Sequence, residues 1–449
     1  MSVATTPDSI AHGHQIVLAN VRRRTVITFV VMAGLFAYLS YTWFAFDMTG
    51  LVQSAKPERA ALLAKDAVAH KVHVTKSMRT KDVVIAVEGE RTATYQEPPA
   101  WVAQNDQTTT VSLGDNYTVH IFDKEVEMIV PDYGTIRVAI VNNRIETTLP
   151  EGKETPEWLR ATPAKFDARP DLNKRVQVSR AKIEVHRYFT GWENFFFPFS
   201  SPLASYSAFE IASLIVSDER LDPIKPNWKL VFDTFWSNPD WQHGNVFIAL
   251  LETLLMAVLG TFVAAFVGLP MAFLAAKNFT PSNVILFFVR RLFDLLRGID
   301  MLVWSLIFIR AFGLGPLTGT LAIAFTEIGE LGKLFSEALE NIDKKQVDGV
   351  RSTGASKTQV YRFGVMPQIL PIFISQGLYY LESNIRSATV IGALGAGGIG
   401  LMLVETIRTS RDWENTLYLI ILTLLLVIAI DKISSALRRR LIRGKVVQT

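Results

Sequence analysis

Apolar and polar positions alternate between two regimes along this chain. From Thr25 to Phe46 runs an uncharged stretch of 22 residues, directly after Arg22, Arg23 and Arg24. About 20 apolar residues cross the hydrocarbon core of a bilayer. A secretory leader shares the charge pattern but has a shorter apolar centre, and Trp43-Phe44-Ala45-Phe46 is too bulky for a cleavage site. The stretch therefore predicts an uncleaved span that starts in the cytoplasm, where its arginines remain.

Residues 47–240 have frequent charge and no long apolar run. Pro57–Val68, Ala208–Val216 and Trp228–Trp236 have helical spacing. The runs Val72–Thr75, Val83–Val87, Thr109–Leu113, Tyr117–Phe122, Val126–Val130 and Thr135–Val141 have β character. Ile136, Val138 and Ile140 alternate with Arg137 and Ala139, the period of a strand with one buried face. Asn142-Asn143 then predicts a hairpin turn into Arg144–Leu149. Residues 150–180, rich in Pro, Lys and Asp, predict loop. The aromatic run Gly191–Phe199 suits a membrane–water interface or ordinary packing equally well.

After Gly244 the chain turns strongly apolar. Val246–Ala276 holds one charge, Glu252, in 31 residues. Val284–Phe312 is interrupted by Arg290, Arg291, Asp294, Arg297 and Asp300, so its apolar part is Met301–Ile309. Pro316–Phe335 returns, residues 337–362 are polar, and Phe363–Leu381 is uncharged for 19 residues. Ser387–Val404 is uncharged for 18 residues and contains five glycines. Thr416–Ile430 is followed by Lys432, Arg438, Arg439, Arg440 and Arg443. Six crossings put both termini in the cytoplasm if Ser387–Val404 does not cross fully. Lys344, Lys345, Arg351, Lys357 and Arg362 then share the side of the terminal arginine clusters, as the positive-inside rule requires. In the short outer loop, Arg408 and Arg411 are offset by Glu405, Asp412 and Glu414.

Composition agrees with a membrane protein: 49% of residues are hydrophobic and the mean hydropathy is +0.24. A net charge of +4 gives no reason to expect nucleic-acid binding. The absence of cysteine excludes disulfides, thiolate metal sites and a cysteine nucleophile. The seven histidines have no ligand spacing, so no metal site is expected.

Two nucleotide-binding lookalikes fail on context. Gly395 to Gly400 satisfies G-x-G-x-x-G but lies in an uncharged membrane stretch, without the strand and soluble βαβ unit a dinucleotide site needs. Gly332-Lys333 is followed by Leu334 rather than Ser or Thr, and Glu327 stands where a P-loop has its first glycine. The chain thus offers no ATPase of its own and no cofactor site. Glycine-rich backbone at membrane depth is tolerated when buried or lining a cavity. Gly395, Gly397, Gly398 and Gly400 are therefore candidates for a re-entrant gate near the outer mouth, with close helix packing as the plainer alternative. Glu382 and Arg386 are four residues apart on one helix face, either along the substrate path or as a structural ion pair at the outer interface. Asp300 and Arg310 pose the same question.

The stretch 337–371, EALENIDKKQVDGVRSTGASKTQVYRFGVMPQILP, ends in two prolines as a span begins. Asp348-Gly349-Val350, three residues, Gly354, nine residues and Gly364-Val365-Met366-Pro367 follow the spacing of the cytoplasmic loop of ABC importer permeases, with several letters changed. RGIDMLVWSLIF at 297–308, GLGPLTGTLAIAF at 313–325, GELGKLFSEALENID at 329–343 and LESNIRSATVIGALGAGGIG at 381–400 extend the match. Over about residues 240–440 the sequence resembles the phosphonate/phosphate-type ABC permease family.

The resemblance implies an all-α polytopic membrane protein of about six transmembrane helices; the β-rich segment matches nothing in that family and reads, from its own pattern, as an inserted α+β periplasmic domain. The chain's parts would be a tail and first span (1–46), the insertion with interfacial helices (47–240) and the permease core (241–449), whose coupling loop lies at about 337–362. The resemblance implies a bacterial inner-membrane importer subunit for phosphonate or a related phosphorus oxyanion such as phosphate. The chain itself would be non-catalytic; a cytoplasmic ABC ATPase dimer would use the ATP. The other implied partners are a periplasmic substrate-binding protein, a second permease chain, identical or homologous, and the lipid bilayer. Gly349, Ser352, Gly354 and Ala355 would let the loop seat closely in an ATPase cleft, with Asp348, Arg351 and Lys357 fixing its register. A membrane-anchored periplasmic sensor would need one return span and an output domain. An ion-coupled carrier would need inverted repeats or buried carboxylates.

Overall fold

The computed structural model describes residues 7–54, 57–89, 93–105, 107–409 and 413–442. Two compact units divide at Leu63/Ala64. The first holds α1 (Pro7–Ala45) and α2 (Met48–Ser54). Within α1, Asn20–Ala45 is long and apolar enough to cross a membrane and buries none of that window against protein. Such a helix finds its apolar surroundings in lipid, where its backbone is satisfied internally. Helix α3 (Pro57–Asp66) runs across the division.

In the second unit, twelve strands among the described residues form two six-stranded antiparallel sheets. One has the order β2 (Val83–Val87), β1 (Ala69–Ser77), β12 (Lys182–Thr190), β11 (Lys174–Ser179), β10 (Lys165–Asp171), β9 (Leu159–Ala161). The other runs in chain order from β3 (Val102–Gln104) and β4 (Thr109–Gly114) through β5 (Tyr117–Ile121) and β6 (Glu125–Val130) to β7 (Gly134–Val141) and β8 (Arg144–Thr148). Alternate residues meet between them: Val72, Val74, Val119, Ile121, Val126, Met128, Val138, Phe166, Val176 and Val185 are all fully buried. Asn142 and Asn143, both at positive φ, form the β7–β8 turn, as their sequence predicts.

Residues 150–180 are not the loop their composition suggests, since they contain the whole of β9, β10 and β11. Phe166, Ala168, Val176 and Val178 supply the buried face. The intervening Lys165, Asp167, Arg175 and Gln177 point away from the core and mask the alternation. Asp167 accepts hydrogen bonds from Arg175 at 2.9 and 2.8 Å and from Gln177 at 2.9 Å. Burial opposes its ionisation, but these donors hold its carboxyl below the usual range.

Helices α4 (Ala208–Val216) and α5 (Asn227–Trp236) lead to the membrane core. It comprises α6 (His243–Ala275), α7 (Asn283–Gly298), α8 (Met301–Phe312), α9 (Pro316–Glu340), α12 (Met366–Ile391), α13 (Gly398–Thr409) and α14 (Trp413–Ile442). The short helices α10 (Lys344–Ser352) and α11 (Lys357–Gln359) precede α12, joined to it by a wide helical turn, Val360–Val365. Helices α6 and α9 pack through small residues. A methyl on Gly268 would lie 3.4 Å from the Gly332 nitrogen, and one on Gly260 would press on Ile323. Such close backbone approach supplies van der Waals contact where lipid offers no hydrophobic drive. The run 284–312 divides into α7 and α8 because Asp300 caps α8, accepting from the Leu302 N–H at 2.8 Å. Arg290, midway along α7, joins two helix ends, donating to the Ala275 carbonyl of α6 at 2.9 Å and to Glu340 of α9 at 2.6 Å.

By length and composition, three helices among the described residues are able to cross a membrane, and up to four if the bent pair α12–α13 is one span. The aromatic run at 191–199 packs on the helices. His243 Nε2 donates to the Phe195 carbonyl at 2.7 Å, which leaves Nδ1 to accept from the Tyr418 hydroxyl at 2.8 Å. Phe235 stacks on this imidazole with ring centroids 4.0 Å apart, Phe195 and Tyr418 meet it edge-on, and Trp192 and Trp241 pack in turn on Phe195 and Tyr418.

Candidate functional site

The polar stretch between α9 and α12 is anchored on one side and open on the other. Asp343 caps α10 by accepting from the Lys345 N–H at 2.9 Å, and its own N–H donates to Gln368 of α12 at 2.9 Å. Gly364 brings the wide turn against α10: a methyl there would lie 3.3 Å from the Val347 Cα. Gly354, at φ +83°, ends α10, and Ser356 with Gln359 forms a capping box that starts α11. Asp348, Gly349, Arg351, Gly354 and Lys357 are exposed and Ala355 is half-buried. A side chain built at Gly349 or Gly354 meets nothing within 4 Å. Asp348 and Arg351 form an ion pair at 3.4 Å in solvent, a geometry worth little to stability. All six residues of the expected coupling loop thus lie on one helix–turn–helix.

The glycine run breaks a helix. Gly395 and Gly397 adopt φ +116° and +89°, Gly398 φ +69°, and α13 leaves α12 at a bend of 61°. The N–H groups that open α13 are occupied. Gly398 donates to Glu252 Oε2 and Ile399 to Thr253 Oγ1, both at 3.0 Å and both from α6. The anion favoured at a helix start is therefore the chain's own carboxylate. A methyl on Gly400 would overlap the Thr389 carbonyl oxygen, and one on Gly392 the Gly397 carbonyl.

Glu382 and Arg386 pair at 3.3 Å, and Glu382 also receives Arg438 of α14 at 3.7 Å. Arg438 thus joins the pair to the basic final turns of α14. Asp300 serves as a helix cap rather than as a partner of Arg310. Of the outer-loop charges, Arg411 and Asp412 lie outside the described residues, as does Arg443.

Sequence reasoning missed a polar cluster inside the helical core. Asn384 of α12 donates to Thr261 of α6 at 2.9 Å, beside Glu327 of α9, a residue only 3% exposed. The available signal was the lone acid in LAIAFTEIG.

Residues 268–445 match the family described as binding-protein-dependent transport system inner membrane component. A putative phosphite transport system permease protein of Stutzerimonas stutzeri is 38% identical over 47% of this chain and 74% of its own length. A putative cryptic phosphonate transport system permease protein of Escherichia coli is 45% identical over 27% of this chain and 99% of its own. A phosphate-import permease protein of Mycolicibacterium smegmatis is 38% identical over 43% of this chain and 36% of its own.

Proposed function

The chain belongs to the family of binding-protein-dependent inner-membrane transport components, and we propose that it is the permease subunit of an ATP-driven importer of a phosphorus oxyanion. Phosphonate, phosphite and phosphate form the candidate class, on the strength of the relatives' substrates. The observation that carries the mechanism is the uncovered element from Lys344 to Gln359. It is fastened to α12 through Gln368 and Gly364, while Gly349 and Gly354 face open space. A pair of cytoplasmic ATPases takes that face, a second permease chain completes the path, and a periplasmic binding protein delivers substrate above it. The chain uses no ATP itself. Closure of the ATPases pushes on α10 and α11, and the capped turn hands the motion to α12.

The test is ATP hydrolysis in nanodiscs containing this chain, its ATPase and its binding protein, with phosphonate, phosphite and phosphate supplied in turn. Gly349→Arg fills the open face without touching the fold. Stimulation in wild type and its loss in a stable, well-folded Gly349→Arg protein is the expected result. Equal stimulation in both proteins overturns the coupling assignment. Failure of all three compounds to stimulate the wild type overturns the substrate class.

A further inference from the structure

Between the sheet β2-β1-β12-β11-β10-β9 and the ends of α6, α13 and α14 lies a cavity of about 980 Å³, roomy enough for a small organic molecule. Its floor is the face of the sheet turned away from the sandwich core. Cross-strand register aligns Arg175, His186 and His73 in one row and Gln177, Glu184 and Thr75 in the next. Its roof includes Asp240, Gln242, Glu405 and Asn415.

Two observations point to a ligand. First, His186 is only 6% exposed, yet neither ring nitrogen has a hydrogen-bond partner, and the Thr75 hydroxyl is also unpartnered. Buried polar groups rarely stay unsatisfied. Glu88 Oε2 lies 3.7 Å from its Nδ1, beyond hydrogen-bond distance. Second, the charge is one-sided. Glu88, Glu184, Asp240 and Glu405 face two fixed cations among the described lining residues, Arg175 and Lys182. Both cations are engaged, Arg175 by Asp167 and Lys182 by Glu184. A bare oxyanion entering here meets an acidic cavity, whereas a cation alone leaves the neutral donors unused.

We propose that this cavity binds a small zwitterion, a phosphonate or phosphate oxyanion joined by a short chain to an ammonium group. The ammonium faces Glu88 and Glu405. The oxyanion takes donors from His186, Thr75 and the remaining guanidinium N–H groups of Arg175. Burial and the neighbouring His73 and Arg175 hold the His186 imidazole neutral, with its pKa lowered to about 3, so one ring nitrogen donates and the other accepts. The phosphorus half of the ligand rests on the reading under Proposed function; the ammonium half rests on the cavity alone.

The experiment is isothermal titration of the full chain in nanodiscs with 2-aminoethylphosphonate, ethylphosphonate and ethylamine. The expected result is saturable binding of the aminophosphonate at least tenfold tighter than of either half-ligand. Glu88→Gln with Glu405→Gln should erase the preference over ethylphosphonate, and His186→Phe should weaken the aminophosphonate at least tenfold. Thermal melts confirm that each variant folds, and Glu405→Gln alone, on a helix, serves if the sheet variants do not. Ethylphosphonate binding as tightly as the aminophosphonate, ethylamine doing so, no saturation, or indifference to the variants each overturns the proposal. Uptake of a phosphorus compound by the assembled importer separates the two readings. Uptake without binding by this chain leaves the importer standing and removes the cavity site. Binding here with no phosphorus uptake by the assembly removes the importer reading.

Discussion

Two glycine-bearing turns flank α12, and they are built on opposite terms. Before it, Gly349 and Gly354 have open space around them. After it, Gly392, Gly398 and Gly400 are pressed against Gly397, Thr253 and Thr389. The second turn is further closed by Glu252 and Thr253, which take its free N–H groups. Smallness is thus a packing necessity in the later turn and a vacancy in the earlier one. The contrast separates glycines a fold needs from glycines another molecule is positioned to need.

Substitutions break or sharpen the contrast by steps. The largest effect is expected from Gly400→Val. Its side chain overlaps backbone that cannot move without unwinding α12, so the loss is on the order of 3 kcal/mol or more, read as failure to recover a monodisperse protein. Glu252→Ala leaves the Gly398 N–H without an acceptor and should cost about 1–2 kcal/mol, seen as a lower midpoint in thermal unfolding. Glu252→Gln keeps an acceptor and should lose less. Gly354→Ala strains only one residue at positive φ, for about 1 kcal/mol. Gly349→Ala should raise stability, by roughly 0.5–1 kcal/mol, because alanine suits a helix interior better. If Gly349→Ala instead destabilises the isolated chain, the open face is not open and the contrast fails.

Much of this was legible in the chain. Val246–Ala276, Thr416–Ile430 and Thr25–Phe46, the last preceded by Arg22, Arg23 and Arg24, marked apolar helices by length and charge, and Gly354 and the glycine run marked real breaks. Local patterns carry local structure, as Asn142-Asn143 and the Glu382–Arg386 spacing demonstrate. What stayed hidden depends on partners far along the chain. Strands β9 to β11 were concealed because their outward residues, Arg160, Lys165, Asp167, Arg175 and Gln177, are charged or polar and read as a loop-like mixture; of these, Arg175 and Gln177 line the cavity. The cap that Glu252 places on Gly398 joins residues nearly 150 positions apart. Arg438 reaching Glu382 and the Thr261–Asn384–Glu327 cluster likewise need the packed helices to exist first. The break at Asp300 was marked by its charge but masked by the apolar residues on both sides.

The aromatic knot around His243 has an optical consequence. Trp192 and Trp241 stand 5.2 Å apart, and Tyr418 meets Trp241 edge-on at 5.7 Å. One indole belongs to the strand-rich region, the other to the approach to α6, and the phenol to α14. A displacement of α14 against α6 changes the surroundings of both indoles at once. Their emission is therefore a native gauge of helix movement, readable during turnover without an attached dye.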